Sequence, residues 1–206
     1  DPASAQRWTE RAAAVRNGLH KYWNEKRGLF EDAFSQDKFT GQFSELANGL
    51  ALQHGVANPK QSARIISQFR VETPMNIAKP TPIWIGQILW PMAQAGAGGL
   101  EKVIELIRGR YEPIVKNGET IPELWTPSSA NARSPIHGGN TPALILSREV
   151  LGIKGIGPVF KECRIEVPDL KGIDWAKGVF PSVRGDIAVE WRRSGEQWSV
   201  EVKLPE

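Results

Sequence analysis

The chain has 206 residues, with 26 Lys and Arg against 23 Asp and Glu, a formal net charge of +3 and a 40% hydrophobic content, enough for one large domain or a domain with an appendage. The charges are interspersed without a run of five like signs, so neither nucleic acid nor a membrane surface is an expected partner, and no apolar stretch approaches the roughly eighteen residues a membrane span needs. Cys163 is the only cysteine and His20, His54 and His137 are far apart, which leaves no internal disulfide, no metal-ligand cluster and no expected cofactor. The N-terminus has neither a signal-type apolar region nor an initiator Met, so the chain is expected to begin inside a longer polypeptide or to have been processed. The compartment stays open. Eight Trp are many for this length, and indole faces serve both in cores and as platforms for ligands.

Trp8, Ala12, Val15, Leu19 and Tyr22 recur at helical spacing and predict a helix over residues 3 to 23, closing at Arg27-Gly28. An irregular stretch with Asp32, Phe34 and Phe39 follows. Phe43, Leu46, Leu50 and His54 then share one face of a second helix ended by Gly55. Asn58-Pro59 is a helix start, and Ala63, Ile66 and Phe69 continue the apolar stripe of a third. Thr81-Pro82 opens a fourth helix with Ile85, Ile88, Leu89, Met92 and Ala95 on one face and a kink expected at Pro91. Leu100, Val103, Ile104, Ile107 and Tyr111 mark a fifth, interrupted at Pro113 and stopped by Asn117-Gly118. Thr141-Pro142 begins a sixth that runs to Leu151 and is capped by Gly152.

After Gly152 the period changes from near 3.6 to 2. Val159 to Val167, Gly178 to Val183, Ile187 to Trp191 and Trp198 to Leu204 read as strands, with Ser194-Gly195 as a hairpin turn, and alternation places Trp175, Trp191 and Trp198 toward a core. The fold class expected is therefore mostly α with a β tail: about six helices stacked as αα-hairpins, as in half of an α/α toroid, over residues 1–153, then a small antiparallel β domain over 154–206. No fixed-period repeat is visible, which argues against a solenoid.

Residues 119 to 140 form a long polar connection with Glu119, Glu123, Trp125, Arg133 and His137 between two helix ends, and long ordered loops of this kind carry function. Hydrolysis of a glycosidic bond needs two carboxylates, one to protonate the leaving oxygen and one to activate water or attack the sugar, and Glu123 is suited to be one of them. A solvated loop acid is the plain structural alternative.

Three segments together resemble the closing part of the catalytic toroid of bacterial α-L-rhamnosidases: Gly118-Glu119-Thr120-Ile121-Pro122-Glu123-Leu124-Trp125, Ser134-Pro135-Ile136-His137-Gly138, and Ser147-Arg148-Glu149-Val150-Leu151-Gly152-Ile153. Tyr22-Trp23-Asn24 through Glu31-Asp32 is similar to an aromatic-rich helix exit of that family, and Asp174-Trp175-Ala176-Lys177-Gly178, Gly185-Asp186-Ile187 and Glu190-Trp191 are similar to its C-terminal β domain.

The resemblance implies an inverting hydrolase of terminal α-L-rhamnose, acting on a rhamnosylated glycoside or oligosaccharide in a cleft at one end of an (α/α)6 toroid. It places Glu123 as general base, His137 on sugar hydroxyls, and Trp125 beside the base or the ring; of Trp84 and Trp90, six apart and so on different faces of the fourth helix, one is expected in the core and the other at the toroid mouth, with Trp84 the candidate for sugar binding. Gly139 stands where the family commonly has Trp, and Pro122 replaces an aromatic before the base. A closed toroid has twelve helices, so the resemblance further implies a missing N-terminal half that holds the general acid, an isolated chain without activity, and an open flank covered by that half or by a second copy. The competing class is a non-catalytic carbohydrate-binding or interaction module that retains the groove of a toroid glycosidase.

Overall fold

The computed structural model describes residues 1–96, 98–125 and 137–205, and the chain divides by compactness into a unit of residues 1–139 and a unit of residues 140–206. Among the described residues six α-helices precede the larger strands, as the periodicity predicts.

In the first unit, α1 (Pro2–Leu19) starts where Asp1 accepts the backbone N–H groups of Ala3 and Ser4 at 3.1 and 3.3 Å, ahead of a Pro at the first turn. It passes into a 3-10 turn, His20–Tyr22. None of its residues is buried. Two short antiparallel ladders follow, β1 (Trp23–Asn24) with β2 (Leu29–Phe30) and β3 (Phe34–Ser35) with β4 (Lys38–Phe39), too short to show a period in the sequence. A parallel ladder joins β5 (Phe43–Ser44) to β6 (Ile77–Ala78).

Ser44 caps α2 (Glu45–Gln53) by accepting from the Ala47 amide at 3.1 Å. The face that α2 buries differs from the expected one: Glu45, Asn48, Gly49 and Ala51 are buried, whereas Leu50 and His54 are exposed. The reason is that both polar residues find partners. Asn48 exchanges hydrogen bonds with the backbone of Phe30 at 2.8 and 3.1 Å, and Glu45 is paired with Arg110. Gly49 lets a neighbouring helix approach so closely that a Cβ would stand 2.5 Å from the Gln87 carbonyl oxygen.

α3 (Pro59–Gln68) opens with the expected signal, completed by a reciprocal pair of bonds between Asn58 and Gln61 at 2.9 and 3.0 Å. A 3-10 turn, Pro82–Trp84, leads into α4 (Gly86–Gln94), which carries Pro91 inside it and buries Ile88, Leu89 and Met92 completely. α5 (Gly99–Lys116) then folds back onto α4. It runs through Pro113 rather than breaking there, since that residue lies on the exposed side, and stops at Asn117 and a left-handed Gly118. α2 packs on α4, α4 on α5 and α3 on α5, which makes the core of this unit.

In the second unit, α6 (Thr141–Ile145) continues as a π turn, Leu146–Val150, and ends at the left-handed Gly152. β7 (Ile153–Ile156) pairs with β8 (Glu162–Ile165). The strand expected from Val159 starts at Glu162 instead, because Pro158–Phe160 form a 3-10 turn in which Val159 and Phe160 take positive φ. β9 (Trp175–Ser182), β10 (Gly185–Ser194) and β11 (Gln197–Lys203) form an antiparallel meander with β10 in the middle.

Of the three Trp expected in the core, only Trp191 is wholly buried, and its indole N–H donates to the Val150 carbonyl at 2.9 Å. Trp175 is 59% exposed and Trp198 40%. Trp175 pairs with Arg192 and so faces away from Trp191, while Trp198 shares the face of Trp191 but lies on the edge strand. Among the described residues no helix is long and apolar enough to cross a membrane.

Candidate active site

The β5–β6 ladder is parallel, so the chain leaves it in one direction twice, once into α2 and once through Lys79 and Pro80 toward α4. The starts of these two helices therefore share one end of the unit. Beneath that end lies a buried ion pair. Arg110 from α5 donates to both carboxylate oxygens of Glu45 at 2.8 and 2.6 Å, and both side chains are 1% exposed. The remaining bonding capacity is used as well. Thr73 donates to Glu45 at 2.8 Å, and the guanidinium donates to the carbonyls of Arg70 at 2.5 Å and Val71 at 3.2 Å. A pair this deep is tolerable only when bidentate and fully bonded. Its effect is to fix residues 70–73, hence the approach to β6, against α2 and α5.

The segment after α5 returns to this end. Trp125 is half-buried, and its indole N–H donates to the Pro80 carbonyl at 2.7 Å. The Tyr111 ring meets it edge-on at 5.2 Å and 88°, and the Lys79 ammonium lies 4.8 Å from the centre of the indole. Burial, and then the nearby Arg110 charge, hold Lys79 below its ordinary value, while Glu72 and Glu45 act the other way. Burial raises the Tyr111 phenol well above its ordinary value, and among the described residues its hydroxyl has no hydrogen-bond partner. Glu123 is exposed two residues before the anchored Trp125, with buried Pro122 behind it.

Trp84, in the turn that follows Pro80, is 52% exposed, and Trp90 further along α4 is half-buried. His137 belongs to a 3-10 turn, His137–Asn140, and its side chain lies outside the described residues, as does Arg133. Gly139 packs on Ile121, where a Cβ would come within 2.6 Å of the Ile121 side chain. Sequence reading singled out Glu123 and Trp125 but not Lys79 and Tyr111, which touch the Trp125 indole, nor the Glu45–Arg110 pair.

Two further features belong to this unit. Asp32 accepts from the Ser44 hydroxyl at 2.9 Å beside the start of α2, and burial raises its carboxyl above the ordinary value against those bonds. A cavity of about 710 Å³ opens between α1 and α2, with Trp8, Val15 and Leu19 on one wall and Leu50 and His54 on the other, and it reaches Asp32. Trp8 and Val15 are 58% and 63% exposed, so the apolar stripe that predicts α1 is not covered by the described residues. Among these residues no group of three or more His, Cys, Asp or Glu is placed to hold a metal.

The first unit thus holds helical hairpins with an acidic loop anchored at the end where two helices begin, and the second holds the antiparallel strands. Residues 152–206 match the family model of the bacterial alpha-L-rhamnosidase C-terminal domain. The chain is similar to the GH78 family rhamnosidase of Bacillus sp. GL1, with a TM-score of 0.77 and 20% identity over 96% of this chain and 22% of that one. It is also similar to the Streptomyces avermitilis alpha-L-rhamnosidase solved with L-rhamnose, with a TM-score of 0.64 and 12% identity over 98% of this chain and 20% of that one. The chain thus spans about a fifth of the length of either protein. No curated protein matches it in sequence.

Proposed function

We propose that the chain is the closing part of the catalytic module of an α-L-rhamnosidase, with residues 1–153 belonging to its toroid and 154–206 to its C-terminal β domain. The substrate class is a glycoside or oligosaccharide with terminal α-L-rhamnose, in keeping with the sugar bound by the Streptomyces relative. Glu123 is the general base. It takes a proton from a water on the face of the sugar opposite the leaving group, and an acid from an upstream half of the protein, about 6.5 to 9.5 Å away, protonates the departing oxygen. His137 bonds a sugar hydroxyl, Trp125 forms a wall beside the base, and Trp84 lines the mouth.

The observation that carries this reading is the anchoring of the Glu123 loop. The backbone that carries Glu123 is tied down two residues away by an indole held at its N–H, by a perpendicular contact with Tyr111 and at its face, whereas a merely solvated loop acid needs no such support. The test is Glu123→Gln in the intact protein that carries the chain. Turnover of an aryl α-L-rhamnoside is expected to fall by roughly a hundredfold or more, with little change in thermal stability. Turnover at the wild-type rate sinks the base assignment and leaves the loop a structural one.

A further inference from the structure

Lys79 is an unusual neighbour for the base loop. Its ammonium is half-buried and among the described residues has no carboxylate within ion-pair distance. The charges that face it come from three elements: Arg110 on α5, which repels it, and Glu45 on α2 and Glu72 before β6, which attract it without contact. Loss of water and a like charge both disfavour an ammonium there. What offsets them is the Trp125 ring at 4.8 Å, since the electron-rich face of an indole attracts a cation most strongly where water is excluded. The next residue, Pro80, accepts the N–H of the same indole. One dipeptide thereby grips Trp125 at its face and at its polar edge, while Tyr111 blocks a second direction.

We infer that Lys79 is a positioning residue for the Glu123 loop, acting through the Trp125 indole that its ammonium covers. The inference rests on the reading of Glu123 as the base and adds to it the group that sets where the carboxylate stands. Because Lys79 acts on the placement of the base rather than on the sugar, its loss lowers kcat and leaves KM nearly unchanged. The attraction is to charge over a ring, so a guanidinium serves in its place and an isosteric apolar chain does not.

The experiment compares Lys79→Met, Lys79→Arg and Glu123→Gln in the intact protein, reading steady-state turnover of an aryl α-L-rhamnoside together with hydrogen exchange of the 119–125 amides. Lys79→Met is expected to lower kcat by roughly two- to thirtyfold and to speed exchange across 119–125, and Lys79→Arg to restore both. Unchanged kcat and exchange in Lys79→Met, beside an inactive Glu123→Gln, overturn the role of Lys79 alone. A slow Lys79→Arg that exchanges like Lys79→Met also overturns it, because charge over the ring is then not the cause. Full turnover in Glu123→Gln overturns the base reading, whatever the Lys79 variants do.

Discussion

The two faces of α2 invert the usual rule for an amphipathic helix. One face buries Glu45, Asn48 and Gly49 against α4, α5 and the β2 backbone, and the other leaves Leu50 and His54 on an open groove whose far wall is the apolar stripe of α1. Burial here follows the availability of partners rather than hydrophobicity. A carboxylate can be interior because a guanidinium and a hydroxyl meet it, and an apolar stripe stays in water because nothing among the described residues covers it. The first face is a foundation for the segment that leads to the Glu123 loop, and the second is a surface with room for a partner.

The largest effect that separates the two faces is expected from Arg110→Ala. It leaves the Glu45 carboxylate buried without its partner and frees the carbonyls of Arg70 and Val71, and breaking a buried pair in this way costs about 3 to 5 kcal/mol. Urea unfolding should show that loss, together with a looser 119–125 segment. A loss under about 1 kcal/mol would mean that the pair is not the foundation described above.

On the other face, Trp8→Ala is expected to change the stability of the 206-residue chain by no more than about 0.5 kcal/mol, because the indole is already largely in water. The groove itself should be detectable. An apolar opening of about 710 Å³ is expected to take up a dye such as ANS or to draw two chains together, and Leu50→Glu should diminish either behaviour. A monomer in light scattering that binds no dye would show the groove to be closed in solution.

Much of this architecture is legible in the sequence where the signals are local. Asn58-Pro59, Thr81-Pro82 and Thr141-Pro142 each fall at the first turn of a helical segment because proline geometry acts within a few residues, and at Asn58 a capping pair adds to it. The buried face of α2 is not legible, since what makes Glu45 an interior residue sits 65 positions away in α5. The ladders from β1 to β6 are two residues each, below the length at which a period exists. In the meander, alternation tells which of Trp175, Trp191 and Trp198 share a face, but not that the edge strand β11 leaves its side of that face exposed. In the site, Glu123 and Trp125 are readable as neighbours in sequence, whereas Lys79 and Tyr111 join them only through folding.

A smaller effect is expected from pH. Lys79 has a folded-state value below its unfolded one, so between the two the unfolded chain binds more protons and the native state gains stability as pH rises. The window runs from that lowered value up to about 10.4, where a free lysine titrates. The difference in unfolding free energy between the native protein and Lys79→Met should therefore move in favour of the native protein across this alkaline range. A difference that is flat with pH would show that holding the ammonium at this place carries no net cost.

A further effect concerns Tyr111 and divides its ring from its hydroxyl. The ring supplies an edge contact to Trp125, and an edge-to-face pair contributes about 0.5 to 1.5 kcal/mol beyond the area it buries. The hydroxyl is buried with no partner among the described residues, and leaving such a group unbonded costs about 1 to 3 kcal/mol. Tyr111→Phe keeps the first and removes the second, so it should leave stability unchanged or raise it by up to about 1 kcal/mol, with exchange at 119–125 unaltered. Tyr111→Leu removes both and should loosen that segment. If Tyr111→Phe instead destabilises the protein by more than about 1 kcal/mol, the hydroxyl has a bonded partner in solution, and the support of Trp125 includes a polar contact as well as a ring edge.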